Sequence, residues 1–253
     1  MYAKLLADQG KGTPVLYVPG IDGTGELLLG CAPRLEAEFR LLRFHYHAGP
    51  EADSYAGLAA SIAGIARELK LERCLVLCES FGGAVGLQLA LDFPELVGGV
   101  MVVNSFAHYS QPGRLWLSRM LAPMTPKAFF RVGRHLMAPF SLFGRRLERE
   151  ALALFRAQGG TYFDEAFLRR LELLATLDLR PRLPELQQPV ALYAGDRDRV
   201  VESLDCLGEM QESLPDATLE VISGGGHLIL PLAGEPWPER MHELARRAGL
   251  EGA

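Results

Sequence analysis

Short apolar runs recur along the chain, separated by polar stretches or by segments of helical period. Val15–Val18 ends at Pro19-Gly20, and Leu41–Tyr46, Cys74–Cys78, Val97–Val103, Val190–Ala194 and Thr218–Ile222 repeat the pattern. Runs this short and this rich in Val, Leu and aromatic residues predict strands, the first of them at Val15. Ser54–Leu69 and Gly82–Leu91 carry apolar residues at helical spacing instead. Strands that alternate with helices need crossover connections, so the pattern predicts an α/β fold, a mostly parallel central sheet with helices on both faces. Ligands bind such sheets beyond the C-terminal ends of the strands.

More than eighty residues separate the runs at 97–103 and 190–194. That is too long for an ordinary crossover and predicts a segment with structure of its own. The reading is a core formed by residues 1–104 and 186–253, with 105–185 inserted as a helical lid. The insertion contains Trp116, Met120, Met124, Phe129, Phe130, Phe140, Phe143 and Phe155, and Pro112, Pro123, Pro126 and Pro139 divide it into short helices. Its aromatic and Met positions read as core, and its arginine pairs 145/146 and 169/170 as solvated helix faces.

Charge sharpens this division. The chain of 253 residues carries a net charge of -5, yet residues 105–185 hold 13 Lys+Arg against 7 Asp+Glu, leaving +6 there and -11 elsewhere. The overall sign argues against a nucleic-acid partner, and the basic insertion would attract a substrate with an anionic portion. Apolar residues at 49% and charged residues at 23% fit a soluble globular domain and exclude collagen-like, coiled-coil and disordered classes. No apolar stretch reaches the roughly 18 residues of a membrane span, so no stable membrane anchor is expected. Lys4, Asp8 and Lys11 interrupt the first twenty residues, which do not read as a secretory leader. Cys31, Cys74, Cys78 and Cys206 lack metal-ligand spacing and read as reduced thiols of a cytoplasmic protein.

The chemistry begins at Cys78-Glu79-Ser80-Phe81-Gly82-Gly83, which joins an apolar strand to a helix of small residues. A serine on so sharp a turn exposes its hydroxyl, and its neighbours two positions away must be small; Gly82 and Cys78 meet that need. The helix that follows points its N-terminal N–H groups toward a developing oxyanion. A serine nucleophile needs a base, and His227 follows the last strand in Ser223-Gly224-Gly225-Gly226-His227. The orienting carboxylate falls after the preceding strand, in Gly195-Asp196-Arg197-Asp198-Arg199-Val200. Asp198 is preferred over Asp196 because it fits a Gly-x-x-Asp-x-x-Val arrangement. Phe81 and Ile21 are the candidate N–H donors of an oxyanion hole. Gly20 and Asp22, in the loop Pro19-Gly20-Ile21-Asp22-Gly23-Thr24-Gly25, and His108, just after a strand, are candidate substrate contacts. The glycines of that loop lack the Gly-Lys-Ser/Thr ending of a phosphate-binding loop and the dinucleotide spacing. His45 and His47 alternate on one strand, but no third ligand is evident, so they read as packing residues and no metal site is expected.

From Val18-Pro19-Gly20 through Glu79-Ser80-Phe81-Gly82-Gly83 and Leu183–Val201 to Gly226-His227, the chain resembles the α/β-hydrolase superfamily over essentially its whole length. Its two glycine-rich segments are most similar to the esterase, lipase and thioesterase group that includes phytyl ester synthases and diacylglycerol acyltransferase-like proteins. The resemblance implies a serine hydrolase of carboxylic esters or thioesters that works through an acyl-enzyme, without metal or organic cofactor, on a small or lipid-like substrate of medium or long acyl chain. The same machinery would serve an acyltransferase that passes the acyl group to an alcohol, or could be retained in a non-catalytic ligand-binding protein. Oligomeric state is not legible.

Overall fold

The computed structural model describes residues 1–49, 53–124, 142–146, 148–157 and 165–251. Seven strands form one sheet in the order β1-β3-β2-β4-β5-β6-β7. They are β1 (Tyr2–Gln9), β2 (Pro14–Val18), β3 (Arg40–His47), β4 (Cys74–Glu79), β5 (Val97–Val103), β6 (Val190–Gly195) and β7 (Ala217–Ile222). All neighbouring pairs are parallel except β1 with β3. The sheet therefore begins earlier than Val15. β1 is an antiparallel edge strand whose pairing shifts register between Leu5 and Ala7, and Leu6, apolar on its exposed side, blurs the period-two alternation by which a strand is read from sequence.

The helices among the described residues are α1 (Cys31–Glu36), α2 (Tyr55–Glu68), α3 (Phe81–Asp92), α4 (Pro112–Leu121), α5 (Arg149–Ala157), α6 (Glu165–Leu174), α7 (Ser203–Ser213) and α8 (Trp237–Arg247). α2 starts where Ser54 accepts a hydrogen bond from the Gly57 N–H at 2.9 Å, an N-cap that satisfies one of the donors a helix start leaves open. The sheet divides the core into two faces because successive side chains of a strand point to opposite sides. On β4, Cys74, Val76 and Cys78 pack with Leu58, Ile62, Ala84 and Val85 of α2 and α3. Leu75 and Leu77 pack with Leu35 of α1 and Met241 and Leu244 of α8. Both faces of the central strands are thus apolar, as helices on either side require.

The chain between β5 and β6 contains α4, α5 and α6. Phe143 and Phe155 are buried in it, together with Leu27 and Leu228. Trp116, Leu117, Met120 and Met124 are exposed on and after α4, so the expectation that the aromatic and Met positions are core holds for the first pair and not for these. Phe129, Phe130, Phe140, Pro126 and Pro139 lie outside the described residues. The four cysteines are free and buried. No helix among the described residues is long and apolar enough to cross a membrane.

Candidate active site

Ser80 stands between β4 and α3 with φ 52° and ψ -126°. Non-glycine residues enter this region only when the surroundings enforce it, at a cost of about 1–3 kcal/mol. The enforcement is visible on both sides. The Ser80 N–H donates to the Val103 carbonyl at 3.0 Å, and the Ser105 hydroxyl donates to the Ser80 carbonyl at 2.6 Å. A Cβ at Gly82 would collide with the carbonyl oxygens of Val18 and Pro19, so only glycine lets α3 start so close to the end of β2.

His227 reaches Ser80 from the loop after β7. Its Nε2 lies 3.0 Å from Ser80 Oγ and its Nδ1 lies 2.7 Å from Asp198 Oδ2. Asp198 also accepts from the Val200 and Val201 N–H groups at 2.8 and 3.2 Å and from the Ser203 hydroxyl. Burial alone would raise the Asp198 pKa, but the imidazole and these donors outweigh it and hold the carboxyl below its usual range. For His227 the burden is opposite: burial lowers its pKa, whereas Asp198 and, from further away, Glu79 outweigh that and leave it raised. Asp196 faces elsewhere, accepting from the Gly224 N–H at 2.7 Å. The sequence thus contains two aspartates two positions apart, and only Asp198 touches the histidine.

The loop after β2 runs beside the serine; a Cβ at Gly20 would lie 3.5 Å from the Ser80 Cβ. The Ile21 N–H makes no hydrogen bond among the described residues, and Phe81 is the first residue of α3, where helix N–H groups lack an intrahelical acceptor. Asp22 folds back on its own loop, its Oδ2 accepting from the Thr24 N–H at 2.9 Å and from the Thr24 hydroxyl at 2.5 Å. His108 is not joined to these groups. It bridges to Asp178 and lines a cleft of about 250 Å³ with Ser110, Arg180, Cys206 and Met210. His45 and His47 sit together on β3 with ring nitrogens 3.1 Å apart. No three His, Cys, Asp or Glu among the described residues are grouped to hold a metal ion.

Three residues at the site carry no signal of their role in the sequence. Asn104, at φ 44° just after β5, donates from Nδ2 to the carbonyls of Gly226 and His227 at 2.9 and 2.8 Å and accepts the Gly195 N–H at 2.7 Å. It ties the histidine loop to the end of β6. Glu79 is buried beside the serine with Tyr17 donating to it, and burial pushes its pKa up to about 7 against that hydrogen bond. Arg170, expected on a solvated helix face, is only 2% exposed; it points from α6 into the loop after β2. Its neighbour Arg169 pairs with Asp53, and Arg146 pairs with Glu235, so neither behaves as a simply solvated arginine.

Relatives place this geometry in context. A "Putative carbamate hydrolase RutD" of Cronobacter sakazakii is 30% identical, with 89% of this chain and 88% of that protein covered. One of Serratia proteamaculans is 29% identical over 90% of each. These relatives lie outside the phytyl ester synthase group that the glycine-rich segments resemble. Among solved structures, the enol-lactonase of Burkholderia xenovorans superposes with a TM-score of 0.82 at 17% identity over 96% of both chains. A thermophilic esterase of Thermogutta terrifontis gives 0.80 at 20% identity, covering 97% and 93%. At such identities the structures speak for the fold alone. The family model of the alpha/beta hydrolase fold matches residues 13–233, and the chain belongs to that family.

Proposed function

We propose that the protein is a serine hydrolase that cleaves carboxylic ester or thioester bonds through an acyl-enzyme, acting on medium or long acyl chains. The observation that carries the reading is the continuous line from Ser80 Oγ to His227 Nε2 at 3.0 Å and from His227 Nδ1 to Asp198 Oδ2 at 2.7 Å. In this reading Ser80 Oγ attacks the acyl carbonyl while His227 takes its proton, and Asp198 holds the ring and balances the imidazolium. The N–H groups of Phe81 and Ile21 receive the oxyanion. His227 then returns the proton to the leaving oxygen or sulfur, and the acyl group remains on Ser80. Water repeats the sequence, releasing the acid and restoring the serine. Gly20, beside Ser80, and Asp22 and His108, further out, are the proposed substrate contacts.

The relatives' name favours a second reading, hydrolysis of a carbamate, which uses the same attack with nitrogen beside the carbonyl. The test is to compare p-nitrophenyl esters of graded chain length with a p-nitrophenyl carbamate and to label the protein with a fluorophosphonate. Wild type is expected to be labelled at Ser80. Ser80→Ala should keep its fold, lose the label and lose roughly 10³ or more in turnover. Labelling of another serine, or turnover that survives in Ser80→Ala, would overturn the assignment.

A further inference from the structure

We infer that Arg170, reaching in from the segment inserted between β5 and β6, is a positioning residue that sets the oxyanion loop; this rests on the reading of Ile21 as an oxyanion donor. The five carbonyls from Pro19 to Gly23 all have donors. Those of Pro19 and Gly23 accept from the hydroxyl and the N–H of Tyr46 at 3.0 and 2.8 Å, and that of Gly20 accepts from the Gly23 N–H at 3.0 Å. These three bonds lie within the β2–β3 region. The other two depend on a side chain about 150 residues away: Arg170 Nε donates to the Ile21 carbonyl at 2.6 Å and Nη2 to the Asp22 carbonyl at 3.1 Å.

A guanidinium presents its donors in a rigid plane, so one that bonds two successive carbonyls fixes the two peptide planes relative to each other. Those planes meet at the Asp22 α-carbon, and the first of them starts at the Ile21 α-carbon, to which the Ile21 N–H is attached. Its own peptide partner, the Gly20 carbonyl, is already turned toward Gly23, which directs the Ile21 N–H the opposite way. The loop is also shaped to admit the arginine. Gly23 has φ 71°, and a Cβ there would lie 2.8 Å from the Arg170 guanidinium carbon. The Tyr46 ring, 5.8 Å from that carbon, covers the buried charge. Because Arg170 belongs to α6, the two carbonyls that follow the oxyanion donor are held only while α6 is seated on the core, so the inserted segment contributes to the chemistry as well as to the cover.

An arginine that merely anchors α6 would affect stability or ligand entry. One that sets the oxyanion donor affects the reacting state selectively. The test uses the full chain and a fluorophosphonate, whose phosphoryl oxygen occupies the same donors, with rates resolved into kinact and KI. Arg170→Met is expected to lower kinact about 10- to 100-fold, somewhat less than loss of an entire oxyanion donor, with KI within about twofold. Affinity for a boronic acid that forms a tetrahedral adduct should fall by a similar factor. Arg170→Lys should recover part of the rate by serving one of the two carbonyls. The Arg170→Lys variant, which keeps the charge and one of the two hydrogen bonds, decides the matter if Arg170→Met fails to fold. Unchanged kinact and boronate affinity in the folded variants would overturn the inference while leaving the hydrolase reading intact. Absence of label at Ser80 in the wild type would instead overturn the reading beneath it.

Discussion

At the level of single residues, two aspartates at the end of β6 invite a direct comparison. Asp198 bonds His227, Val200, Val201 and Ser203, whereas Asp196 supports the Gly224 N–H. Asp198→Asn is expected to reduce kcat by about 10³ to 10⁴, because an amide favours the wrong imidazole tautomer. Asp196→Asn keeps an acceptor for Gly224 and should cost far less; equal losses would show that loop support, not ring orientation, is what matters. Glu79 offers a second test through pH. In the proposed mechanism His227 must be neutral to act as base, and its pKa is raised above 6.5, so kcat/KM should fall as pH drops through a value above 6.5. Glu79 titrates in the same range, at about 7, and the limb then belongs to the pair. Glu79→Gln removes an anion that raises the histidine, so the limb should move to lower pH. The same substitution has a stability signature. A carboxyl ordinarily near 4.5 and lifted to about 7 by folding makes the native state bind the extra proton. That contribution is complete below pH 4.5 and is lost as pH rises through 7. The Tm of Glu79→Gln, measured at pH 5 and pH 8, should gain relative to wild type at the higher pH; a constant difference would place the Glu79 pKa near its ordinary value.

At the level of elements, the site depends on how the ends of β5 and β6 and the loop after β7 are joined, and Asn104 makes that junction. Asn104→Ala leaves the carbonyls of Gly226 and His227 and the Gly195 N–H without their partner. Its expected cost is about 2–4 kcal/mol, read as a Tm lower by several degrees, with kcat reduced as His227 loses its fixed approach. An unchanged Tm would mean that the loop is held elsewhere, for example by the Gly144 and Gly225 bridge. Local patterning made much of this framework legible. The apolar runs read as Val15–Val18 and Cys74–Cys78 are the observed Pro14–Val18 and Cys74–Glu79, and Ser54 caps a helix where the period changes. The order of Ser80, Asp198 and His227 was also readable, since each follows a strand and the strands end at one edge. β1 was not, because Leu6 places an apolar residue on the exposed side of the strand and blurs the alternation in the sequence. Asn104, Glu79 and Arg170 were illegible for a different reason. Their partners lie 91 to 123 residues away for Asn104, 62 for Glu79 and 148 or more for Arg170, and no local period records a buried polar group whose partner is supplied by another element.

At the level of the whole molecule, the charge asymmetry between insertion and core takes on a different meaning once its ion pairs are traced. Arg146 pairs with Glu235, Arg169 with Asp53 and Arg182 with Asp92, each joining the basic insertion to a carboxylate of the acidic remainder. Charges paired this way project a weaker field than the same charges left in solvent, so they favour attachment of the insertion over attraction of a distant anion. Both effects respond to salt, whose Debye length falls from about 10 Å at 0.1 M to about 3 Å at 1 M, but they differ in which substrates feel it. Loosened attachment would act on every substrate, because in the proposed reading Arg170 of the same segment sets the loop that receives the oxyanion. Steering would act on charged substrates alone. For an anionic and a neutral ester of equal chain length we therefore expect kcat/KM to change with salt in parallel, to within about twofold across that range. A loss confined to the anionic ester would instead assign steering to the arginines outside these pairs and give the basic insertion a part in selecting substrate.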